Sequence, residues 1–355
     1  MNDTHTPAVS PREFFGDVLG QFRLAESVVE KKYEFFYRIA GLTIKLKFVG
    51  DALLPIITPA ISHLRIEPHA SLDPGLTVYL WDAASTGVNL PTRPWGTDDN
   101  VSRGDIRGFD DPRIKTAYTL GPNTLSMFDT EQNLGVFCTT SAAHIPTDYR
   151  GSPLLVILSW WTSANGLQYV HAGAVGTNEG GVLLVGKGGS GKSTSALSCI
   201  ASELKYAADD YCLLDGRAER PVVYSIYNSA KLAADHVARF PSLVPLISNR
   251  EHLATDKAVI YLNDHHPKKI LESFPVKAVF VPKITGRRDT TLSRTSPLIG
   301  LKALAPSTLF QLSGAAEANF RVMADFVRRI PSYFLELGTD LEQIPAVISD
   351  YLSEA

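Results

Sequence analysis

The residues best suited to chemistry in this chain form one glycine-rich segment, GKGGSGKST, at positions 186–194. It fits the pattern G-x-x-x-x-G-K-[ST], in which glycines let backbone amides approach the oxygens of a phosphate chain. In that pattern Lys192 reaches the β- and γ-phosphates, and the hydroxyl of Ser193 is a ligand of Mg²⁺. The residues predicted to bind nucleotide are Gly186, Gly188, Gly189, Ser190, Gly191, Lys192, Ser193 and Thr194. The segment therefore predicts binding of a nucleoside triphosphate, ATP with Mg²⁺.

The residues on either side of this segment agree with a phosphate-binding loop. The apolar stretch Val182–Val185 predicts a strand that runs into the loop, and the small residues from Ser193 to Ala201 predict a helix that leaves it. The four glycines of the loop are expected to adopt backbone angles that residues with a Cβ avoid. Lys187 lies outside the pattern and is predicted to be solvated. A glycine-rich turn that matches by chance is the alternative, and the flanking strand and helix argue against it.

Two adjacent acids, Asp209 and Asp210, begin 17 positions after Lys192, within the strand-like stretch Lys205–Leu214. This spacing leaves room for one short helix and a tight return to the sheet. Neighbouring residues of a strand point to opposite faces, so one carboxylate is expected to face the metal and triphosphate, and the other either to face the substrate or to hold the strand in place. A surface turn with solvated carboxylates is the alternative, which the apolar flanks disfavour. The other apolar candidate strand, Val276–Pro282, contains no acid.

His171, in the stretch YVHAGAV, is predicted to lie on a strand, Leu167–Val175, that precedes the loop. An imidazole at this position could transfer a proton or hydrogen-bond a phosphate, and it could equally be a satisfied core residue. Both interpretations stay open from the sequence. The predicted catalytic residues are Asp209, Asp210, His171 and Lys192, and the predicted metal ligands are Ser193, Asp209 and Asp210.

The order of these features resembles a known family. His171-Ala-Gly precedes a short hairpin, GKGGSGKST follows, and a short helix leads to Ala208-Asp209-Asp210. This combination resembles the C-terminal catalytic domain of HPr kinase/phosphorylase and its kinase-like relatives, closely over residues 165–235 and loosely to residue 350. The resemblance implies an α/β fold of the HPr kinase/phosphoenolpyruvate carboxykinase type, and transfer of the γ-phosphoryl group of ATP to a serine hydroxyl. It also implies that the family's catalytic acid corresponds to the acid pair and its histidine to His171.

The stretch after the acid pair departs from that family. Val222–Leu232 reads VVYSIYNSAKL and lacks the family's glycine- and isoleucine-rich signature with its arginine. This departure argues against the reverse, phosphorolytic reaction and against the protein HPr as substrate. The chain looks more like divergent relatives, some of which phosphorylate a serine at the end of a modified-peptide precursor. The acceptor is left open among a protein serine, a peptide serine and a small hydroxylated molecule.

Two other classes of function compete with a kinase. One is a nucleotide-dependent switch or slow ATPase, and the other is a degenerate module that binds without catalysis. A conventional switch strand ending in aspartate is absent from the sequence pattern, and the acid pair follows closely behind the loop; both features favour the kinase. The intact Lys192, Ser193 and acid pair argue against a degenerate module.

The length of 355 residues predicts two domains. Residues 1–150 are predicted to form a smaller α+β domain that could recognise substrate, and residues 151–355 the P-loop catalytic domain. A net charge of −3 argues against a broad nucleic-acid-binding face. The three scattered cysteines are interpreted as buried residues of a reduced protein. Since no signal peptide or membrane span is recognised, no membrane partner is expected and a cytoplasmic location is expected by default; whether the chain forms a homo-oligomer is left open.

Sequence patterns also predict elements outside the loop. The predicted helices are residues 11–31, Leu154–Thr162, Ala315–Ile330 and Leu341–Leu352. The further predicted strands are Thr43–Phe48, Leu76–Trp81, Thr116–Leu120, Thr124–Phe128, Gly135–Thr139 and Tyr333–Leu337. Ala40-Gly41 is predicted to be a turn, and residues 82–113 a loop. A basic stretch is interpreted either as a clamp for substrate or as a solvated loop, and the solvated loop is favoured; its residues are Lys283, Arg287, Arg288 and Arg294.

Overall fold

The structure is a computed structural model that describes residues 9–69, 71–101, 104–217, 219–309 and 316–354. The described chain forms two compact units: the first runs to Pro59 and continues over Arg65–Asn165, and the second comprises Ala60–Leu64 and the chain from Gly166 onward. The sequence places the domain boundary after residue 150, whereas residues 151–165 pack with the first unit. The reason is a buried helix in this stretch, whose Trp161 donates its indole N–H to the carbonyl of Gly75 at 2.9 Å.

The first unit is built on a mixed seven-stranded sheet. Its strands are β1 (Lys32–Ile39), β2 (Leu42–Val49), β3 (Arg65–Ile66), β4 (Leu76–Asp82), β5 (Ile114–Thr119), β6 (Thr124–Asp129) and β7 (Leu134–Thr139). Their order in the sheet is β3-β1-β2-β4-β7-β6-β5, with β4 parallel to both β2 and β7. Its helices are α1 (Pro11–Val28), α2 (Leu54–Ile57), α3 (Ala83–Thr86), α4 (Thr147–Arg150) and α5 (Leu155–Ala164).

Helix α1 forms where the sequence predicts an amphipathic helix. Ser10 and Glu13 cap its start reciprocally: the Ser10 hydroxyl accepts from the Glu13 amide at 3.3 Å, and Glu13 Oε2 accepts from the Ser10 amide at 2.9 Å. Phe14, Val18 and Phe22 recur at helical spacing and are buried in the core of the first unit. Local capping and apolar spacing are together sufficient to place this helix.

The other local predictions for the first unit are largely confirmed. The turn at Ala40-Gly41 joins β1 to β2, and both residues have positive φ angles, 49° and 82°. The five strands predicted between residues 43 and 139 correspond to β2, β4, β5, β6 and β7. The stretch predicted as a loop, residues 82–113, contains the short helix α3 and a 3₁₀ turn at Thr97–Asp99.

The second unit combines a nine-stranded sheet and a two-stranded sheet with six helices, within its described residues. Its strands are β8 (Gln168–Val170), β9 (Gly173–Gly176), β10 (Gly181–Leu184), β11 (Lys205–Ala208), β12 (Cys212–Asp215), β13 (Val222–Ser225), β14 (Ser229–Leu232), β15 (Ala258–Tyr261), β16 (Ser273–Ile284), β17 (Thr291–Thr295) and β18 (Ser332–Leu337). Its helices are α6 (Lys192–Ser198), α7 (Ala234–Val237), α8 (Leu262–His265), α9 (Pro297–Leu309), α10 (Ala316–Arg329) and α11 (Gln343–Glu354).

The nine-stranded sheet has the order β11-β9-β10-β16-β13-β12-β8, with β18 joining β16 and β17 joining β18. Strand β10 is antiparallel to β9 and parallel to β16, and β16 is parallel to β18. The predicted α/β class is thus confirmed. Alternate residues of β10 enter two separate apolar clusters, Leu184 with residues of α6 and α11, and Leu183 with residues of α9 and α10. Helices therefore cover β10 on both faces, which explains its continuous apolar sequence.

Two predicted strands are each broken in the middle. Leu167–Val175 is predicted as one strand, but it forms β8 and β9 with a break at His171-Ala172. Lys205–Leu214 is also predicted as one strand, but it forms β11 and β12 with a break at residues 209–211. The breaks face one another, because β9 pairs with β11 on one side of them and β8 pairs with β12 on the other. Each prediction of a continuous strand is therefore wrong at its centre.

The breaks have a geometric cause. Strands β9 and β8 stand five steps apart in the sheet order, which corresponds to about 24 Å in a flat sheet. The chain passes from Val170 to Gly173 in three steps, which span about 11 Å at most. The sheet must therefore curve so that its ends approach one another. At each break the backbone leaves strand geometry, because there the chain passes between the part of the sheet beside β10 and the part beside β13.

Most elements of the C-terminal part of the second unit agree with the sequence prediction. The predicted strand Tyr333–Leu337 is β18, and the predicted helix Leu341–Leu352 is α11. Helix α10 matches the predicted helix from Ala316 onward, and Ala315 lies outside the described residues. Helix α9 was not predicted from the sequence. Cys138, Cys199 and Cys212 are all buried and free of disulfides, as predicted. Among the residues that the structure describes, no helix has the length and hydropathy needed to cross a membrane.

Candidate functional site

The predicted phosphate-binding loop follows β10 and has the backbone that its glycines permit. Gly186, Gly189 and Gly191 have positive φ angles of 156°, 75° and 103°. A Cβ on Gly191 would lie 2.4 Å from Cδ1 of Leu337, so this position also lacks space for a side chain. Gly188 has neither a positive φ nor a close neighbour, so the expectation of an unusual backbone there is wrong. Three glycines, not four, define the course of this loop.

Lys192 begins α6, one residue earlier than predicted, and a 3₁₀ turn extends that helix to Ala201. The Lys192 side chain is buried, and its ammonium donates to the carbonyls of Gly186 at 2.7 Å and Lys187 at 3.3 Å. Burial lowers the pKa of Lys192, and the carboxylates of the acid pair oppose that shift. The Lys187 side chain is exposed, as predicted. The buried cation thus lies against the loop itself and within electrostatic reach of the acid pair.

Asp209 lies in the break between β11 and β12 and is 2% exposed. Its Oδ2 accepts from the backbone amide of Lys231 at 2.8 Å, whereas its buried Oδ1 has no hydrogen-bond partner among the described residues. Burial, followed by the neighbouring charge of Asp210, raises the pKa of Asp209 to about 6. The Lys231 amide, the hydroxyl of Ser193 and the ammonium of Lys192 act in the opposite direction. Asp209 is therefore a deeply buried carboxylate with one unpaired oxygen beside the loop.

Asp210 is less buried and is engaged on both oxygens. Its Oδ1 lies 2.8 Å from Nε2 of His171, and its Oδ2 lies 3.0 Å from Nζ of Lys231. Burial opposes ionisation of Asp210, but the charge of Lys231 and the hydrogen bond from His171 outweigh it and hold the pKa well below its usual range. The expectation that alternation along one strand separates the two acids is wrong, because the strand is broken there. The two carboxylates nevertheless have different surroundings.

His171 lies in the break between β8 and β9, which faces the break that contains the acid pair. Its backbone amide donates to the Thr308 hydroxyl at 3.1 Å, its Nε2 contacts Asp210, and its ring centroid lies 5.4 Å from that of Tyr211. Its Nδ1 is buried without a hydrogen-bond partner among the described residues. Since one ring nitrogen is unsatisfied, His171 does not match a fully satisfied core histidine.

Some of the buried polar atoms that have no partner among the described residues belong to this cluster, and others lie elsewhere in the chain. Besides Asp209 Oδ1 and His171 Nδ1, the described residues include the Ser190 hydroxyl, which is also buried and unpaired. Ser193 is half-buried and Thr194 is buried in the first turn of α6. Native structures leave few buried polar atoms unsatisfied, and those that remain often mark sites that bind a ligand or ion.

The donors present fit a hard cation such as Mg²⁺. Ser193 and Asp209 offer oxygen atoms, which are the ligands that Mg²⁺ prefers. One of these atoms, Asp209 Oδ1, is buried and has no hydrogen-bond partner among the described residues. Mg²⁺ normally keeps several waters and takes further oxygens from phosphates rather than from a full protein cage. The described residues contain no group of three or more His, Cys, Asp or Glu side chains able to hold a metal. Asp210, the third predicted ligand, has both oxygens engaged by protein groups.

Lys231 is the site residue that sequence reasoning missed. It lies on β14 and contacts both acids, although it is 21 positions after Asp210. The one available signal was a lysine between two apolar residues of a strand, Ala230 and Leu232. A cation in such a strand needs a buried counter-charge, and the acid pair provides it.

The predicted basic stretch does not join the site. Lys283, Arg287, Arg288 and Arg294 have exposed side chains near β16 and β17, and Arg287 pairs with Glu336 at 2.7 Å. This agrees with the favoured interpretation of a solvated loop.

Comparison with known proteins adds little to this picture. No protein-family model and no curated protein sequence matches the chain. Among solved structures, a match covers 53% of this chain and 97% of the HPr(Ser) kinase/phosphatase from Coxiella burnetii, with 11% sequence identity and a TM-score of 0.31. This is a distant structural similarity that establishes neither a family nor an activity, so the site must be interpreted from its own residues.

Proposed function

We propose that this protein is an ATP-dependent kinase that transfers the γ-phosphoryl group to a hydroxyl, chiefly a serine of a protein or peptide. The observation that carries this proposal is the meeting of two groups of residues distant in sequence. One is the glycine loop with Lys192 and Ser193, and the other is the Asp209–Asp210 pair with His171. Phosphoryl transfer needs little beyond positioning and charge stabilisation, and this cluster can supply both.

The two acids have different parts in this proposal. Asp209 is buried beside Ser193 with one free oxygen, so it would help to hold Mg²⁺ or its waters. Bound Mg²⁺ would neutralise charge that develops on the phosphates. Lys192 would leave the carbonyls of Gly186 and Lys187 to contact the β- and γ-phosphates.

Asp210 is the more accessible acid, with 28% of its side chain exposed, and would orient the acceptor hydroxyl. The hydroxyl oxygen bonds to the γ-phosphorus, the bond from that phosphorus to the bridging oxygen of ADP breaks, and the hydroxyl proton passes to the Asp210 carboxylate. His171 orients Asp210 by donating a hydrogen bond from Nε2 to Oδ1. The lowered pKa keeps Asp210 ionised, so it can accept a hydrogen bond from the acceptor hydroxyl, and alignment of that hydroxyl is its main contribution.

The resemblance to HPr-kinase-like proteins supports serine as acceptor and transfer in the forward direction. The stretch that lacks the family's arginine-bearing signature forms β13 and β14 here. We therefore propose little phosphorolysis, and an acceptor other than HPr. A kinase of a small hydroxylated molecule and a nucleotide-dependent switch remain the competing proposals.

Labelled ATP tests the proposal directly. Pure protein is incubated with γ-labelled ATP, Mg²⁺ and either a cell extract or a serine peptide library, and the labelled product is identified. Label is expected on an acceptor, and Asp210→Asn should lower its transfer rate about 10²–10⁴-fold while ATP still binds. Asp209→Asn should also bind ATP and lose transfer. Asp215→Asn is the matched control, because Asp215 pairs with Arg217 outside the site.

The possible results separate the candidates. Hydrolysis of ATP to orthophosphate without any labelled acceptor would favour the switch. Label on a small molecule rather than on a peptide would favour a kinase whose acceptor is a small hydroxylated molecule. Wild-type transfer rates in both Asp209→Asn and Asp210→Asn would show that the pair is structural and would refute the kinase proposal.

A further inference from the structure

One residue on β14 holds both members of the acid pair. We infer that Lys231 is a positioning residue for phosphoryl transfer, which fixes Asp209 with its backbone amide and Asp210 with its ammonium. This inference rests on the proposed function and adds a residue to it. Nothing in the glycine-loop pattern or in the resemblance assigns a part to a lysine at this position.

The backbone contact follows from the place of β14 in its sheet. Among the described strands, β14 pairs with β15 alone, so one of its edges has no strand partner there. Alternate residues of a strand direct their amides and carbonyls to the same edge. On the free edge, the carbonyl of Ser229 accepts from the hydroxyl of Tyr206 at 2.7 Å, and the amide of Lys231 donates to Asp209 at 2.8 Å. The edge of β14 thus holds the carboxylate of Asp209 in position.

The side-chain contact places a positive charge where the pair needs one. The Lys231 side chain is 11% exposed, and Nζ lies 3.0 Å from Oδ2 of Asp210. Two adjacent carboxylates beside a triphosphate would repel one another and the nucleotide. The ammonium offsets one of these charges and, together with His171 on the other oxygen, leaves Asp210 a single orientation. Because the two contacts use different atoms of Lys231, a side-chain substitution removes one and spares the other.

The test separates turnover from binding. In Lys231→Met the amide is kept, so Asp209 stays bonded while Asp210 loses its cation. We expect kcat for transfer to the labelled acceptor to fall about 10²-fold, the cost of a misplaced reacting group, with KM for ATP within about threefold of wild type. Lys231→Arg should recover at least about tenfold of that loss, because it restores the charge. Lys205→Met is the matched control, since Lys205 is a lysine of β11 whose ammonium donates to the side-chain oxygen of Asn178 at 3.4 Å rather than to either acid.

A double-mutant cycle tests whether Lys231 acts through Asp210. In the Asp210→Asn background the ammonium has lost its carboxylate, so Lys231→Met should lower kcat by less than about threefold further. If Lys231→Met does not fold, Lys231→Gln in the same background replaces it, because two amides can then face each other. A further loss of about 10²-fold in that background would overturn the inference, since Lys231 would then act independently of Asp210.

Other outcomes are equally decisive. A folded Lys231→Met with wild-type kcat overturns the inference and leaves the kinase proposal intact. A loss confined to KM for ATP also overturns it, because Lys231 would then be a phosphate ligand. Failure of the wild-type protein to label any acceptor refutes the proposed function itself, and with it any part for Lys231 in transfer.

Discussion

At the scale of single residues, Lys192 shows how the loop motif becomes a site. A buried ammonium is costly unless charged or polar atoms surround it. Here the carbonyls of Gly186 and Lys187 accept hydrogen bonds from it, and the acid pair lies close enough to influence its pKa. These partners keep the cation beside the loop, where an incoming phosphate could replace the carbonyls as acceptor.

We predict that Lys192→Ala weakens ATP–Mg²⁺ binding by about 10- to 100-fold, the value of one or two hydrogen bonds to a charged group. Turnover should be abolished, while the thermal unfolding midpoint should change by no more than about 4 °C. Titration calorimetry and thermal unfolding measure the two effects. Lys187→Ala is the control, because this neighbouring lysine is exposed and its carbonyl is kept. Unchanged ATP affinity in Lys192→Ala would refute the loop assignment.

At the scale of elements, the site depends on how strands end. The loop leaves β10, and the acid pair and His171 lie in two facing breaks of paired strands. Residues in such breaks are free of the sheet's hydrogen-bond ladder, so their side chains and amides can converge on one point. The position at the end of the loop has a strict requirement for glycine, because Gly191 combines a positive φ with a lack of space for a Cβ beside Leu337 of β18.

We predict that Gly191→Ala lowers the free energy of unfolding by about 1–3 kcal/mol, from backbone strain and displacement of buried Leu337. The same substitution should weaken ATP binding, since the loop must shift. Gly188→Ala lies three positions away in the same loop and should change stability by less than about 0.5 kcal/mol, because no strain or close contact opposes it. Urea unfolding and calorimetry of both variants provide the comparison. Equal effects of the two substitutions would show that the loop tolerates a Cβ at Gly191.

At the scale of the whole molecule, a short segment from early in the chain belongs to the second unit. Residues Ala60–Leu64 are held there by buried polar contacts. The Asn228 side-chain amide donates to the carbonyl of Ala60 at 3.0 Å and to Nδ1 of His63 at 3.3 Å, and His63 Nε2 lies 2.9 Å from the Ser225 hydroxyl. Since Nδ1 accepts from an amide, the proton of the neutral ring lies on Nε2 and is donated to Ser225.

This histidine predicts a dependence of stability on pH. Burial lowers the pKa of His63 from 6.5 to about 3. The unfolded chain therefore binds a proton below pH 6.5 that the folded protein does not accept until about pH 3, so stability is full above pH 6.5 and falls as the pH falls. Between pH 7.5 and 5.5 the free energy of unfolding should fall by about 1.4 kcal/mol more in wild type than in His63→Gln.

Urea unfolding at the two pH values measures this difference. His236→Gln removes an exposed histidine of the same unit and is the matched control. An identical pH dependence in wild type and His63→Gln would show that His63 is not held neutral in the folded protein.

The sequence by itself determined the features that depend on near neighbours. The capping residues Ser10 and Glu13 with their apolar spacing define α1, and the order of strand, glycines and Lys192 defines the loop. The acids 17 positions later were also visible, because a short helix and return is the simplest connection of that length. Each of these features follows from interactions within one element or one turn, and such interactions depend on residues that are close together in sequence.

The tertiary structure alone decided where strands break and which distant residues meet. Both Leu167–Val175 and Lys205–Leu214 have the apolar content of continuous strands, and only the curvature of the sheet forces them to bend at His171 and at the acid pair. Lys231 joins that cluster through an unpaired strand edge, and Ala60 meets Asn228 across 168 positions. Partners so far apart in sequence leave no local period or spacing, because each contact depends on the pairing of every strand between them.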